Sequence, residues 1–169
     1  LSGPLEGCGV EPSSWHGTRV AAMIGAATDN GAGIAGGTWN GRVLPVRVLG
    51  KCGGFDSDII AGMRWAAGFS LADVPKNPTP ARILNLSLGG SGSCGSAYQN
   101  VVTELTAAGV LVVVSAGNSA GGPVEVPGNC SGVLAVAGLR HVGTKVGFSS
   151  QGPQVGISAP GGNCPSTPL

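Results

Sequence analysis

The chain has 169 residues and a formal net charge of +1, and only 10% of its residues are charged, so it offers no strong field to nucleic acid or an anionic membrane surface. That length suits one domain with a real core. Glycine supplies 32 residues without a G-X-Y period and the apolar fraction is 42%, which excludes collagen and a disordered chain and leaves a fold rich in tight turns.

Taken in chain order, Val20, Ala21, Ile24 and Ala27 recur at helical spacing from Thr18 and stop at Asp29-Asn30-Gly31, predicting a buried, alanine-rich helix. Val43, Leu44, Val46, Val48 and Leu49 form a β-branched run closed by Gly50 and the Gly53-Gly54 pair, which reads as a strand buried on both faces. A helix capped near Asp56 or Ser57 follows, with Ile59, Ile60, Met63 and Ala67 inward and Gly68 after it. Beyond a proline-bearing loop over residues 72–80 come a strand over 83–88 and a helix over 96–108 with Val101, Val102, Leu105 and Ala108 inward. Gly109 stops that helix, and an apolar strand over 110–115 follows. Further strands are predicted over 133–137 and near 146–148, before a Pro- and Gly-rich end. Strands joined through helices imply right-handed crossovers. The expected class is α/β, a doubly wound, mainly parallel sheet flanked by helices, with ligands at the carboxyl ends of the strands.

No apolar run is longer than that of Val110 to Val114, far short of the roughly 20 residues needed to span a bilayer, and no targeting signal is visible. The five cysteines, Cys8, Cys52, Cys94, Cys130 and Cys164, form no C-x-x-C arrangement and stand near no paired histidines, so disulfides are the better reading than zinc. Few lysines and many small residues fit an oxidising, extracellular compartment, although an odd count leaves one thiol over. Cys52 and Cys94 follow two predicted strands and Cys130 and Cys164 fall in later loops, so bridges Cys52–Cys94 and Cys130–Cys164 are expected, with Cys8 the orphan.

Gly31-Ala-Gly33-Ile-Ala-Gly36 satisfies the G-x-G-x-x-G pattern of dinucleotide sites, but it needs a strand before it and a helix after it. Here the order is reversed, so it reads as a helix-to-strand loop. His16, in Ser14-Trp15-His16-Gly17-Thr18, stands at a helix mouth beside a glycine that lets another chain approach, which suits a general base; its bland reading is a structural histidine. Asn118 ends the strand segment V-V-V-S-A-G-N-S, where its side-chain N–H could meet a developing oxyanion; the bland reading is an Asx turn. Between them I-L-N-L-S-L-G-G runs a strand into two glycines, an edge open to an extended peptide or simply a strand and turn.

Together, H-G-T-R-V-A, L-P-V-R-V-L-G, I-L-N-L-S-L-G-G, V-V-V-S-A-G-N-S and G-F-S-S-Q-G-P followed by A-P-G resemble, in order and spacing, the subtilisin-like serine proteases (subtilases, peptidase S8). The resemblance covers nearly the whole chain, so residues 1–169 read as part of one peptidase S8 catalytic domain. It implies that His16 is the general base and Asn118 the oxyanion donor. It further implies that Ser87, Leu88 and Gly89 pair with substrate, while Ser115, Ala116 and Gly117 shape the pocket for the side chain before the scissile bond. Polypeptide substrates, a monomeric secreted protein and no catalytic cofactor follow from the same resemblance. A structural calcium ion is common in the family, and Asp29 and Asn30 offer loop oxygens.

The family's aspartate stands roughly 30 residues before the histidine and its serine far beyond it. Here only Glu6 and Glu11 precede His16 as acids, neither in the aspartate motif, and no G-T-S-M-A-type segment is present; Ser87, Ser115 and Ser158 lack the nucleophile's context. The sequence thus reads as the middle of a longer catalytic domain, inactive alone. The alternative is a truncated or degenerate fragment that binds peptide without turnover. Glu125, in Pro123-Val-Glu-Val-Pro127, falls where the family builds a wall of the specificity pocket; it is either solvated or a carboxylate favouring lysine or arginine substrates.

Overall fold

The structure is a computed structural model that describes residues 12–163. It divides into two compact units, Leu1–Gly62 and Met63–Leu169.

In the first unit α1 spans His16–Gly25 and α2 begins at Asp56, running Asp56–Ala66 into the second. The chain returns along α1 through hydrogen bonds from the amides of Gly36, Gly37 and Thr38 to the carbonyls of Ala26, Met23 and Ile24. Gly36 is buried there because any side chain would collide with the backbone of Gly25 and Ala26. Contrary to the sequence expectation, α1 buries no residue and Met23 is 68% exposed. What meets it in this unit is a glycine-rich return whose small residues cover little of its surface. The expected strand over residues 43–49 is also corrected: the segment joins no ladder, and only Gly50 bridges Gly53. Its β-branched residues instead pack on α2, where Val46 and Val48 leave no room for a side chain at Gly62.

The second unit is built on four parallel strands in the order β1 (Ile83–Leu86), β2 (Leu111–Ser115), β3 (Leu134–Leu139) and β4 (Val155–Pro160). Helix α3 (Ser96–Ala107) connects β1 to β2 and packs on β2, so the α/β class and the parallel sheet expected from the sequence are what the structure shows. Register sets Leu84 beside Val112, Leu86 beside Val114 and Val114 beside Ala135, all buried on one face. Tyr98, Val101, Val102 and Leu105 are the buried residues of α3. Its amphipathic spacing thus gives the inner face correctly except at Ala108, which is exposed beyond the last turn. Gly109 ends the helix with φ 75°, a left-handed conformation that only glycine adopts without cost. The other face of the sheet is less covered, Ile83 and Leu111 being 62% and 44% exposed, so the continuous apolar run of β2 did not signal burial on both sides.

Residues 146–148 form a turn rather than the expected strand, and a side chain explains it. The Lys145 ammonium donates to the carbonyls of Val146 (3.0 Å), Gly147 (2.9 Å) and Ser149 (3.3 Å), curling the segment about one cation. The strand lies further on, as β4, an edge strand whose glycine and proline disguised it in the sequence.

Candidate active site

The turn after β2 is held from two sides. Ala116 is buried, its amide donating to Val136 O (2.9 Å) and its carbonyl accepting from the Glu125 amide (2.9 Å). Gly117 follows with φ 108°, and a side chain there would begin 2.6 Å from Glu125 Cγ. One oxygen of that carboxylate, Oε1, accepts from the Asn118 amide (3.1 Å) and from Ser119 Oγ (2.7 Å). From the other side Ser150, fully buried, donates its amide to Gly117 O (3.0 Å) and accepts the Ser119 amide at its hydroxyl (3.0 Å). None of these bonds uses the Asn118 side chain. That amide is exposed and makes no hydrogen bond among the described residues, so its N–H groups are available to an acceptor at the carboxyl end of β2.

The end of β1 lies alongside. Ser115 Oγ donates to Leu88 O (3.4 Å), joining the two strand ends. Gly90 and Val126 exchange both amide-to-carbonyl bonds, at 2.9 and 3.0 Å, in an antiparallel bridge. Between these ties the amide and carbonyl of Gly89 enter no hydrogen bond among the described residues, and Gly89 is exposed. An extended segment can therefore add to this edge by main-chain pairing. A side chain on Gly89 would begin 3.1 Å from Glu125 Oε2, so Gly89 and Gly117 border the same carboxylate.

A disulfide braces this region. Cys94 is bonded to Cys130, which joins the loop after β1 to the loop before β3. Asn129 Nδ2 adds a bond to Gly92 O at 2.8 Å. The expected bridges Cys52–Cys94 and Cys130–Cys164 are thereby corrected: the Gly90–Val126 bridge and the Asn129–Gly92 bond lay the long connection after β2 beside the loop after β1, a proximity that spacing alone does not reveal. Cys52 is itself disulfide-bonded, and Cys8 and Cys164 lie outside the described residues.

His16 belongs to the first unit, at the first turn of α1 and exposed. Trp15 before it adopts φ 54°, and the His16 amide donates to Ser14 Oγ at 3.4 Å. A side chain on Gly17 would meet nothing within 4 Å. Of the residues predicted from sequence, the structure gathers Ser87, Leu88, Gly89, Ser115, Ala116, Gly117 and Asn118 in the second unit. Sequence reasoning missed Ser150; the signal was the F-S-S motif, read as family pattern and not as a clamp. Glu125 is half-buried and hydrogen-bonded, not a freely solvated carboxylate. Asn30 Oδ1, one of the loop oxygens named for calcium, accepts the Ala32 amide (3.0 Å), and the described residues hold no group of three acidic, histidine or cysteine side chains suited to a metal.

Comparison with known proteins gives consistent results. The family model described as the subtilase family matches residues 6–169. An extracellular protease of Xanthomonas campestris pv. campestris is 45% identical over 156 residues, 92% of this chain and 27% of that protein. An extracellular basic protease of Dichelobacter nodosus is also 45% identical, over 92% of this chain and 26% of its own length. Among solved structures, a protease from Pseudoalteromonas arctica PAMC 21717 aligns with a TM-score of 0.87 and 46% identity, covering 93% of this chain and 48% of that one. The chain therefore spans about a quarter of the length of these curated relatives.

Proposed function

The chain belongs to the subtilase family, and from that membership and the geometry of the β1 and β2 ends we propose that it forms part of the catalytic domain of a secreted serine endopeptidase. The observation that carries this reading is the Asn118 amide: exposed, unspent, and fixed by its backbone beside an edge that can receive a peptide as a strand. In this reading a substrate pairs with Ser87, Leu88 and Gly89, and the side chain before the scissile bond enters between them and Ser115, Ala116 and Gly117. Asn118 and a backbone N–H stabilise the oxyanion. His16 takes the proton of the serine nucleophile and returns it to the leaving amine, while an aspartate holds the imidazole in the required tautomer. Secretion is supported by the disulfide and by relatives named extracellular.

The sequence carries neither the aspartate nor the serine in the family's motifs, so the chain alone should not hydrolyse casein above background. Turnover by the isolated chain that is blocked by a serine-directed inhibitor would overturn that part of the reading. In an enzyme completed with both residues, Asn118→Leu is expected to lower kcat by about 10²–10³ with little change in KM. That magnitude is the one known for the oxyanion asparagine of subtilisin, carried over to Asn118. Unchanged kcat would remove Asn118 from the oxyanion site.

A further inference from the structure

We propose that Glu125 selects a cationic side chain, with lysine at least as good as arginine, for the slot between the ends of β1 and β2. This rests on the peptide-binding reading above and names its substrate class. The slot is bordered by two glycines, Gly89 and Gly117; Gly117 faces only the Glu125 side chain, and Gly89 faces that side chain and the Val126 carbonyl. Its two carboxylate oxygens are used unequally. Oε1 takes the Asn118 amide and the Ser119 hydroxyl, whereas Oε2, on the Gly89 side, accepts no hydrogen bond among the described residues. Nor does a cation among the described residues pair with the group; the Arg64–Glu104 ion pair at 3.1 Å does not involve Glu125.

A half-buried carboxylate with one oxygen hydrogen-bonded and no paired cation keeps an unused acceptor on its open side. A cation delivered there by a bound peptide gains a charge-assisted hydrogen bond, whereas an apolar side chain leaves the oxygen unpaired and an acidic one is repelled. The asymmetry also ranks the two basic residues. Arginine draws its advantage from a two-pronged contact with both carboxylate oxygens, and here Oε1 is already engaged. Lysine, a point charge, needs only Oε2.

The test uses the 169-residue chain and acetyl-Ala-Ala-Ala-Xaa amides, with Xaa lysine, arginine, norleucine or glutamate, titrated by calorimetry. Lysine and arginine peptides should bind about tenfold more tightly than the norleucine peptide, the glutamate peptide most weakly, and the preference should shrink with added salt. In Glu125→Gln the ratio of lysine to norleucine affinities should fall close to one. If wild-type protein binds lysine and norleucine peptides equally, the role of Glu125 is overturned and peptide binding at this edge stands. If it binds none of the four, both fall. A preference for lysine that persists in Glu125→Gln, in protein with wild-type circular dichroism, also overturns the assignment by placing the selecting charge elsewhere.

Discussion

Replacing Gly117 by alanine separates two effects that the structure superimposes at one residue. The first is conformational: at φ 108° an L side chain is strained, at a cost of about 1–3 kcal/mol. The second is a collision. The new methyl would start 2.6 Å from Glu125 Cγ and 2.8 Å from Oε1, so the end of the flexible glutamate must swing away. Moving it is cheap in itself but breaks the bonds to the Asn118 amide and Ser119 Oγ. At this half-exposed position each contributes about 1 kcal/mol, less than a fully buried charged bond. Gly117→Ala should therefore destabilise the chain by about 3–5 kcal/mol, read as a fall in the urea midpoint. In a Glu125→Ala background the collision and both bonds are already gone, leaving only the backbone strain. The double-mutant cycle should accordingly show a coupling of about 2 kcal/mol. Costs that add to within roughly 0.5 kcal/mol would refute the contact between Gly117 and Glu125.

Two further outcomes follow from the same unit. Replacing both Cys94 and Cys130 by serine opens a loop with a sequence separation of 36, and chain entropy puts the loss at about 4 kcal/mol; urea unfolding with the bridge intact and absent measures it, and a loss under about 1 kcal/mol would mean that the hydrogen bonds of Asn129 and Gln99 already fix these loops. Leu105→Ala empties a fully buried position on α3 and should cost about 2–5 kcal/mol by thermal or urea unfolding, whereas a cost near zero would place the core away from the α3–β2 contact.

Legibility followed the range of the interactions. Helix α3, its inner face and its glycine stop were readable because spacing and a left-handed C-terminus are local properties. So was β2, whose run of valines has a strong strand preference, though not its one-sided burial, which depends on what packs against it. The strand misplaced to residues 146–148 shows the limit most clearly: Val146 and Phe148 have strand propensity, but Lys145 folds back onto three carbonyls, and no periodicity reports that. The site divides the same way. Asn118 could be picked out because it ends an apolar strand, whereas the partners that hold its turn, Glu125 and Ser150, lie 7 and 32 positions further on and meet it only where the β2–β3 and β3–β4 connections fold back beside the end of β2. Cysteine pairing failed for that reason as well, since Cys94 and Cys130 meet only where the connection after β2 lies beside the loop after β1.

The turn bracketed by Glu125 and Ser150 bears on timing as well as on shape. The Asn118 and Ser119 amides and the Gly117 carbonyl are bonded within the protein itself, so the entropy lost in immobilising the Asn118 main chain is lost during folding and not when a ligand arrives. A dipole fixed in advance need not reorient as charge develops on a neighbouring oxygen, which is the circumstance in which an amide N–H stabilises that charge most. Loosening the bracket at Glu125 or Ser150 would leave the same amide in place chemically while returning to it a freedom that each encounter would again have to remove.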